Sequence, residues 1–205
     1  MYQVPAVLLD PGHGGFDGGA LTDDGAAEKE INLAVSLKLR DCLRFLGYRV
    51  TMTRETDCSV ETDGSTVRER KVSDIHHRMQ LMEEAGNAVF ISVHQNHFSQ
   101  KRYWGTQVFY TPRFPEQSAD LAGCIQDAVV TALQPDNTRQ IKACGSSVYL
   151  MYHAVKPAVL VECGFLSNDD EAARLRDDAY QQQLSLCIAA GFADYCGGER
   201  NDYGQ

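Results

Sequence analysis

Four polar side chains stand where a parallel α/β sheet would carry its chemistry. His13 follows the first apolar, strand-like run, and Glu28 opens the first helix-like segment. His94 and Glu162 each end a later apolar run. In open parallel sheets, ligands bind beyond the carboxyl ends of the strands. We therefore expect these four side chains to converge at one edge of a sheet.

The residue types of this group are typical of a hydrolytic zinc site. Two histidines and one carboxylate, with a fourth position left open, form a common catalytic zinc set. A further carboxylate beside the metal can take a proton from the attacking water. The pattern therefore predicts His13, Glu28 and His94 as the ligands of one zinc ion. It predicts Glu162 as the catalytic base.

Each residue has a simpler explanation when it is considered alone. The glycine-rich residues 11–15 could hold a phosphate, but Asp17 replaces the last glycine of a dinucleotide-binding fingerprint and no Gly-Lys-Ser/Thr follows. Glu28 could complement the dipole of its helix. His94 could be a hydrogen-bonded core histidine, and Glu162 could belong to a buried ion pair. The zinc hypothesis therefore depends on the four residues occurring together.

Hydrophobic periodicity predicts alternating strands and helices around these residues. Strands are predicted at residues 4–9, 48–53, 88–93, 106–110, 147–151 and 158–161. Helices are predicted at residues 31–46, 70–85, 117–133 and 180–195. This alternation indicates a three-layer α/β fold, in which a mainly parallel twisted sheet has helices on both faces.

Composition narrows the class of protein. The chain has 205 residues, 43% of them apolar, and no linker or repeat divides it, so residues 1–205 are expected to form a single domain. A formal net charge of -9 with scattered Lys and Arg argues against a nucleic-acid partner. No run approaches the roughly 20 apolar residues that span a bilayer. Because the first strand-like run begins at Val4, we expect no export signal within this chain, so either such a signal has been removed or the protein acts inside a cell.

Cysteine usage points away from a disulfide framework. Seven cysteines is an odd number, and Cys42, Cys163 and Cys187 are expected to face inward from helices or strands. No C-x-x-C spacing indicates a thiolate zinc site. Because neighbouring strand residues face opposite ways, Cys163 is expected to pack in the core while Glu162 faces the site.

Four segments together resemble the motifs of one enzyme family, the zinc-dependent N-acetylmuramoyl-L-alanine amidases of type 3. They lie at residues 8–15, 28–33, 90–96 and 159–168, and the likeness runs from about residue 7 to 195. The resemblance implies a zinc exopeptidase-like fold, with zinc bound at His13, Glu28 and His94 and a catalytic carboxylate at Glu162. It implies hydrolysis of the amide bond between N-acetylmuramic acid and L-alanine, with peptidoglycan as substrate and an extracytoplasmic setting.

Residues 104–110 and 137–142 further resemble the shorter family members linked to spore-cortex remodelling and germination. His97 departs from the family pattern, because a small residue usually follows the asparagine that matches Asn96. We expect it to be a solvent-facing loop histidine, although contact with zinc or substrate stays open. The sequence also leaves open whether an activating partner protein is needed.

Several other polar residues have both a functional and a structural interpretation. Lys101, Arg102, Tyr103 and Trp104 follow His94 and could line a substrate groove, or could form an ordinary exposed loop. Asp74 and Arg78 match a family pair, but their spacing of one helical turn also suits a simple ion pair.

Three rival functions remain at the level of sequence. A metallocarboxypeptidase-like peptidase would share the zinc chemistry, but it needs an arginine clamp for a terminal carboxylate that the sequence does not identify. A non-catalytic peptidoglycan-binding module would be expected to have lost Glu162 or a metal ligand. A phosphate-binding α/β protein is the third.

Overall fold

The computed structural model describes the backbone of residues 6–202 and the side chains of residues 6–197. Residues 4 and 5 of the first predicted strand lie outside the described residues. The strands are β1 (Ala6–Pro11), β2 (Val50–Met52), β3 (Ala88–Asn96), β4 (Gln107–Tyr110), β5 (Lys142–Ala143) and β6 (Ala158–Phe165). The helices are α1 (Glu28–Phe45), α2 (Val67–Glu84), α3 (Pro115–Leu133), α4 (Tyr149–Tyr152), α5 (Asp169–Leu175) and α6 (Asp178–Asp202).

The strands form one sheet in the order β2-β1-β3-β6-β4-β5. Among the described strands, β4 and β6 are antiparallel neighbours and the other neighbouring pairs are parallel. The mainly parallel sheet predicted from the sequence is therefore confirmed. Because β1, β3 and β6 are adjacent and parallel, their carboxyl ends lie side by side.

Helices cover both faces of the sheet, which confirms the three-layer architecture. The larger core lies between the sheet and the helices α1, α3 and α6. Its sheet residues are Val7, Leu9, Val89, Ile91, Val93, Val159, Val161 and Cys163. A smaller core joins the other face to α2 and α4 through Met82 and Met151. Within the described residues, no helix is long and apolar enough to cross a membrane.

Strand alternation decides which residues share the smaller face. The register pairs Asp10 with Ser92, and His94 with Glu162. Closer to the start of the strands, the same face carries Leu8, Phe90 and Leu160, which are buried against α2 and α4. One face of the sheet thus changes from apolar to polar as the strands approach their carboxyl ends.

Local sequence explains where the two helices nearest the site begin and end. The first turn of α1 carries Glu28 and Glu30, which suit the positive end of the helix dipole. Gly47, with φ +88°, ends the segment after α1 in a conformation that glycine adopts readily. Helix α2 starts three residues earlier than predicted, because Thr66 and Glu69 form a reciprocal capping box.

The predicted strand at residues 147–151 is wrong, because that segment contains the short helix α4. A brief apolar run fits a strand or a buried helical turn equally well, so periodicity could not separate them. Met151 is fully buried against α2 and the smaller face of the sheet, and this packing favours the helical turn. The sequence also gave no prediction for the two-residue strand β5 or for helix α5.

The cysteine predictions agree with the structure. All seven cysteines are free thiols, and Cys163 is fully buried on the face opposite Glu162. Cys42 is buried and Cys187 is partly buried.

Candidate active site

The loop after β1 turns sharply enough to direct His13 into the site. His13 has φ +60°, which is unusual for a residue with a side chain, and Gly14 and Gly15 also have positive φ. The backbone N–H of Gly12 still donates to the carbonyl of Val93 on β3, so the loop begins only after the sheet pairing ends. The strained residue is thus placed at a strand end by the fold around it.

Three of the predicted residues come together at this strand end. Nε2 of His13 lies 3.2 Å from Oε2 of Glu28, and Nδ1 of His94 lies 3.0 Å from Oε1 of the same carboxylate. The two imidazole rings meet edge to face with centroids 5.0 Å apart. One ligand atom from each of the three residues falls within 4.8 Å of the others, so this group can hold a metal ion.

Neighbouring groups fix the carboxylate of Glu28 between the two histidines. Its oxygens accept hydrogen bonds from the backbone N–H groups of Ala20 (2.9 Å) and Gln95 (3.0 Å) and from the amide of Asn32 (3.2 Å). Burial alone would raise the pKa of Glu28, but hydrogen bonds and charge from His13 and His94 hold that pKa well below its ordinary value. The carboxylate is therefore ionised and held in one orientation.

Two glycines keep the space around these residues open. A Cβ atom at Gly12 would lie 2.2 Å from Nε2 of His94. A Cβ atom at Gly19, where φ is +70°, would lie 2.5 Å from Oε2 of Glu28 and 2.7 Å from Cδ2 of His13. Any larger residue would displace the candidate ligands, so the backbone is fitted closely around them.

Asp17 supports His13 from the side away from Glu28. Its Oδ2 lies 3.0 Å from Nδ1 of His13, and its Oδ1 accepts from Nζ of Lys71 at 2.7 Å. Burial alone would lower the pKa of His13, but hydrogen bonds to Asp17 and Glu28 raise it to about 9. Because Asp17 occupies Nδ1, Nε2 is the nitrogen of His13 that is free to bind a metal. The sequence analysis missed this role of Asp17, although a carboxylate four residues after a candidate ligand was visible.

Glu162 lies beside this group on the neighbouring strand. Its register partner on β3 is His94, and both side chains face the same side of the sheet. Oε2 of Glu162 is buried and has no hydrogen-bond partner among the described residues. Burial raises the pKa of Glu162 to about 7, and the charge of His94 only partly offsets that rise. A carboxyl group with a pKa near neutrality can both accept and donate a proton.

Comparison with known proteins agrees with this geometry. Residues 7–194 match the family described as N-acetylmuramoyl-L-alanine amidase. The chain belongs to this family. Its activity is therefore that of an N-acetylmuramoyl-L-alanine amidase acting on peptidoglycan, and the prediction of an amidase is confirmed.

Individual relatives cover nearly the whole amidase chain. A germination-specific N-acetylmuramoyl-L-alanine amidase of Bacillus subtilis is 36% identical over 190 residues, which is 92% of this chain and 78% of the relative. The CwlD amidase of Clostridioides difficile, solved in complex with the GerS lipoprotein, is 36% identical with a TM-score of 0.90, covering 95% of this chain and 99% of that one. The catalytic domain of CwlV from Bacillus (Paenibacillus) polymyxa is 27% identical with a TM-score of 0.74, over 93% and 97%.

A second buried carboxylate, Asp10, lies on the same face of the amidase sheet as Glu162. Its oxygens accept hydrogen bonds from Thr53 (2.7 Å), Ser92 (2.7 Å) and Arg78, and we call these four residues the Asp10 cluster. Burial alone would raise the pKa of Asp10, but Arg78 and the two hydroxyls keep that pKa below its ordinary value. The predicted ion pair of Arg78 with Asp74 is also present at 2.6 Å. Arg78 therefore binds a second carboxylate in addition to its partner within the helix.

Two buried arginines hold the loop that carries His13. Arg78 donates to the carbonyls of Pro11 (3.0 Å) and His13 (2.8 Å). Arg54 donates to the carbonyls of Pro11 and Gly12, each at 3.0 Å. Charge-assisted hydrogen bonds of this kind fix the strained turn. The sequence analysis missed Arg54, because its partners lie 42 or more residues away along the chain.

A cavity of about 290 Å³ opens beside the two histidines toward α2 and α4. Its lining includes the exposed residues Phe16 and Lys71 and the buried residues Met151 and Leu160. His13 and His94 therefore border a space large enough for part of a substrate.

The loop after β3 contains both exposed residues and residues that line a cavity. His97 is exposed and lies outside the group that can hold a metal. Lys101 forms ion pairs with Asp23 and Asp169, so its charge is already matched. Tyr103 and Trp104 are partly buried and line a shallow cavity together with Arg102 and Arg139.

Proposed function

We propose that this amidase is a single-zinc enzyme in which His13, Glu28 and His94 bind the metal and Glu162 transfers protons. The observation that carries the proposal is the buried, unpartnered oxygen of Glu162 beside a His-Glu-His group. A purely structural carboxylate would be expected to have its hydrogen-bond partners, because an unsatisfied buried polar atom costs free energy.

The residues fit zinc by their chemistry and by the space around them. Two neutral imidazoles and one carboxylate are ordinary ligands of catalytic zinc, and they leave one position open. Gly12 and Gly19 leave just enough room for the side chains of His94, Glu28 and His13. Asp17 and Asn32 supply the outer hydrogen bonds that usually orient such ligands.

The reaction is hydrolysis of the amide bond that joins the lactyl group of muramic acid to L-alanine. When bound, zinc supplies Lewis acidity that polarises a carbonyl group and lowers the pKa of water. Glu162 accepts a proton from the attacking water and returns it to the nitrogen of the leaving L-alanine. A pKa near 7 suits Glu162 to both transfers, because neither protonation state is strongly favoured at neutral pH.

The relatives support a proposal about where this amidase acts and what it binds. The B. subtilis relative is germination-specific, and we infer that this amidase likewise acts outside the cytoplasm on spore-cortex peptidoglycan. We further infer that residues 1–205 form a single catalytic domain, supported by a match that spans residues 7–194. The CwlD amidase was solved with the GerS lipoprotein, which supports a protein partner for this chain as well.

Digestion of purified peptidoglycan tests the bond that is cut. Mass spectrometry should find peptides with new free L-alanine amino termini and no new reducing sugar ends. A strong chelator should abolish their release, and added zinc should restore it. Release of glycan fragments only, or of peptides cleaved within the stem, would contradict the proposal.

A further inference from the structure

Two arginines beside the site are not neutralised by the protein. Within the described residues, Arg102 and Arg139 take part in no ion pair, whereas the neighbouring Lys101 is paired with both Asp23 and Asp169. The charge of Arg139 acts to lower the pKa of Glu171. The two oxygens of Glu171, however, accept hydrogen bonds from the backbone N–H groups of Gly105 and Phe165. In a chain with a net charge of -9, this pair of unmatched cations points to an external anion.

Aromatic rings and one backbone carbonyl hold Arg139 in place. Its Cζ lies 4.4 Å from the centroid of the Phe165 ring and 5.8 Å from that of Tyr103. Its Nε donates to the carbonyl of Trp104 at 2.7 Å. Nη1 makes only a long contact of 3.5 Å with Gln107, and no hydrogen bond of Nη2 is found among the described residues. The outer edge of the guanidinium is therefore positioned and free to bind an anion.

The aromatic surroundings also increase the effect of this charge. Arg102 also lies over the ring of Tyr103, with its Cζ 5.3 Å from the ring centroid. Aromatic rings exclude water from one side of each guanidinium, which strengthens its attraction for an anion. An arginine fork also matches a carboxylate better than a lysine does.

The location relates these arginines to the scissile bond. Arg139 lines a cavity of about 200 Å³ with Asn96, Phe98, Tyr103 and Phe165. Phe165 follows Glu162 by three residues on β6, a separation of about 10 Å along an extended strand. Asn96, two residues beyond His94, is the register partner of Phe165. The cavity thus lies just beyond the candidate metal ligand and base, at the same edge of the sheet.

We propose that Arg139, assisted by Arg102, binds the free carboxylate on the second residue of the stem peptide and so determines substrate specificity. The inference rests on the proposed function, because the stem peptide extends from the nitrogen of the amide bond that is cut. Two extended residues span about 7 Å, and a hydrogen bond adds about 3 Å. The carboxylate on the second residue can therefore bridge the roughly 10 Å between Glu162 and the arginine cavity. Amidation of that carboxylate removes the charge that Arg139 recognises.

Two muropeptides that differ only at this group test the proposal. One carries a free carboxylate on the second stem residue, and the other carries a carboxamide. The wild-type enzyme should have a kcat/KM at least about tenfold higher for the carboxylate substrate, which is typical of a hydrogen bond to a charged group. Arg139→Met keeps an apolar side chain over Phe165 and should bring the ratio close to one, whereas Arg139→Lys should keep part of the preference.

Matched variants separate recognition from a structural role. Arg174 is the matched control, because its Cζ also lies over a tyrosine ring, 5.9 Å from the centroid of Tyr180. Arg174→Met should leave the ratio of the two kcat/KM values unchanged. Arg102→Met alters an exposed residue, should preserve the fold, and should lower the ratio by about two- to threefold. Equal cleavage of both substrates by the wild type, or a wild-type ratio in Arg139→Met, would overturn the inference while leaving the amidase activity established. Failure to cut either substrate before L-alanine would instead overturn the proposed function, and this inference with it.

Discussion

Two buried carboxylates on one face of the sheet have opposite surroundings. Asp10 accepts hydrogen bonds from Thr53, Ser92 and Arg78, and its pKa is lowered. Glu162, two strands away, has one buried oxygen with no partner in the described part of the chain, and burial raises its pKa to about 7. The difference cannot come from depth alone, because burial raises the pKa of both groups.

The contrast separates a structural carboxylate from one suited to chemistry. The Asp10 cluster uses its charge to hold Arg78, which in turn holds the carbonyls of Pro11 and His13. For Glu162, only the charges of His94 and His13 act to lower the pKa, and burial outweighs them. Glu162 therefore keeps the capacity to exchange a proton near neutral pH. The satisfied group fixes the loop of the site, and the unsatisfied group faces the reacting atoms in the proposed mechanism.

The largest expected effect comes from removing a ligand next to Glu162. His94→Ala should lose the metal and reduce turnover to background, because only two protein ligands would remain. His97→Ala is the matched control, and it should keep both metal and activity because His97 is exposed outside the group. Elemental analysis and turnover measured on the same preparations check this. Full metal content in His94→Ala would contradict the assigned ligand set.

A substitution in the Asp10 cluster should lower the stability of the fold. Arg78→Met leaves Asp10 buried without its cation, and breaking a buried pair from one side typically costs about 3–5 kcal/mol of unfolding free energy. Arg176→Met breaks an exposed pair with Asp24 and should cost less than about 1 kcal/mol. Denaturant unfolding measures both. Similar losses in the two variants would show that the Asp10 cluster is not a structural clamp.

The smallest expected effect concerns the group that orients His13. Asp17→Asn keeps the shape of the side chain and removes its charge, so zinc affinity should fall about 10- to 100-fold while the fold is retained. Asp24→Asn, which changes an exposed carboxylate in the neighbouring loop, should leave zinc affinity unchanged. Competition with a metal indicator gives the affinities. An unchanged affinity in Asp17→Asn would remove Asp17 from the positioning of His13.

The sequence could predict the parts of this contrast that depend on strand ends. The positions of His13, His94 and Glu162 followed from short apolar runs and from the rule that parallel strands present ligand sites at their carboxyl ends. The opposite facing of Cys163 and Glu162 followed from strand alternation. These features are local, so one stretch of sequence is enough to indicate them.

The remaining features depend on contacts between distant residues. Arg54 and Arg78 reach the first loop from 42 to 67 positions away, and nothing in their own segments indicates those partners. Helix α4 was mistaken for a strand because its four residues are decided by packing against α2 rather than by periodicity. Arg139 belonged to a segment noted only for its resemblance, since its aromatic neighbours come from two other parts of the chain.

Turnover and zinc stoichiometry of Glu162→Gln, measured on one sample, test the catalytic role of Glu162 most directly. Glutamine keeps the size of the side chain and removes its basicity. We predict a loss of about 10²- to 10⁴-fold in turnover, with zinc content unchanged, because general-base catalysis typically contributes that much. Full activity would contradict the catalytic role of Glu162. Loss of zinc together with activity would make Glu162 a metal ligand instead.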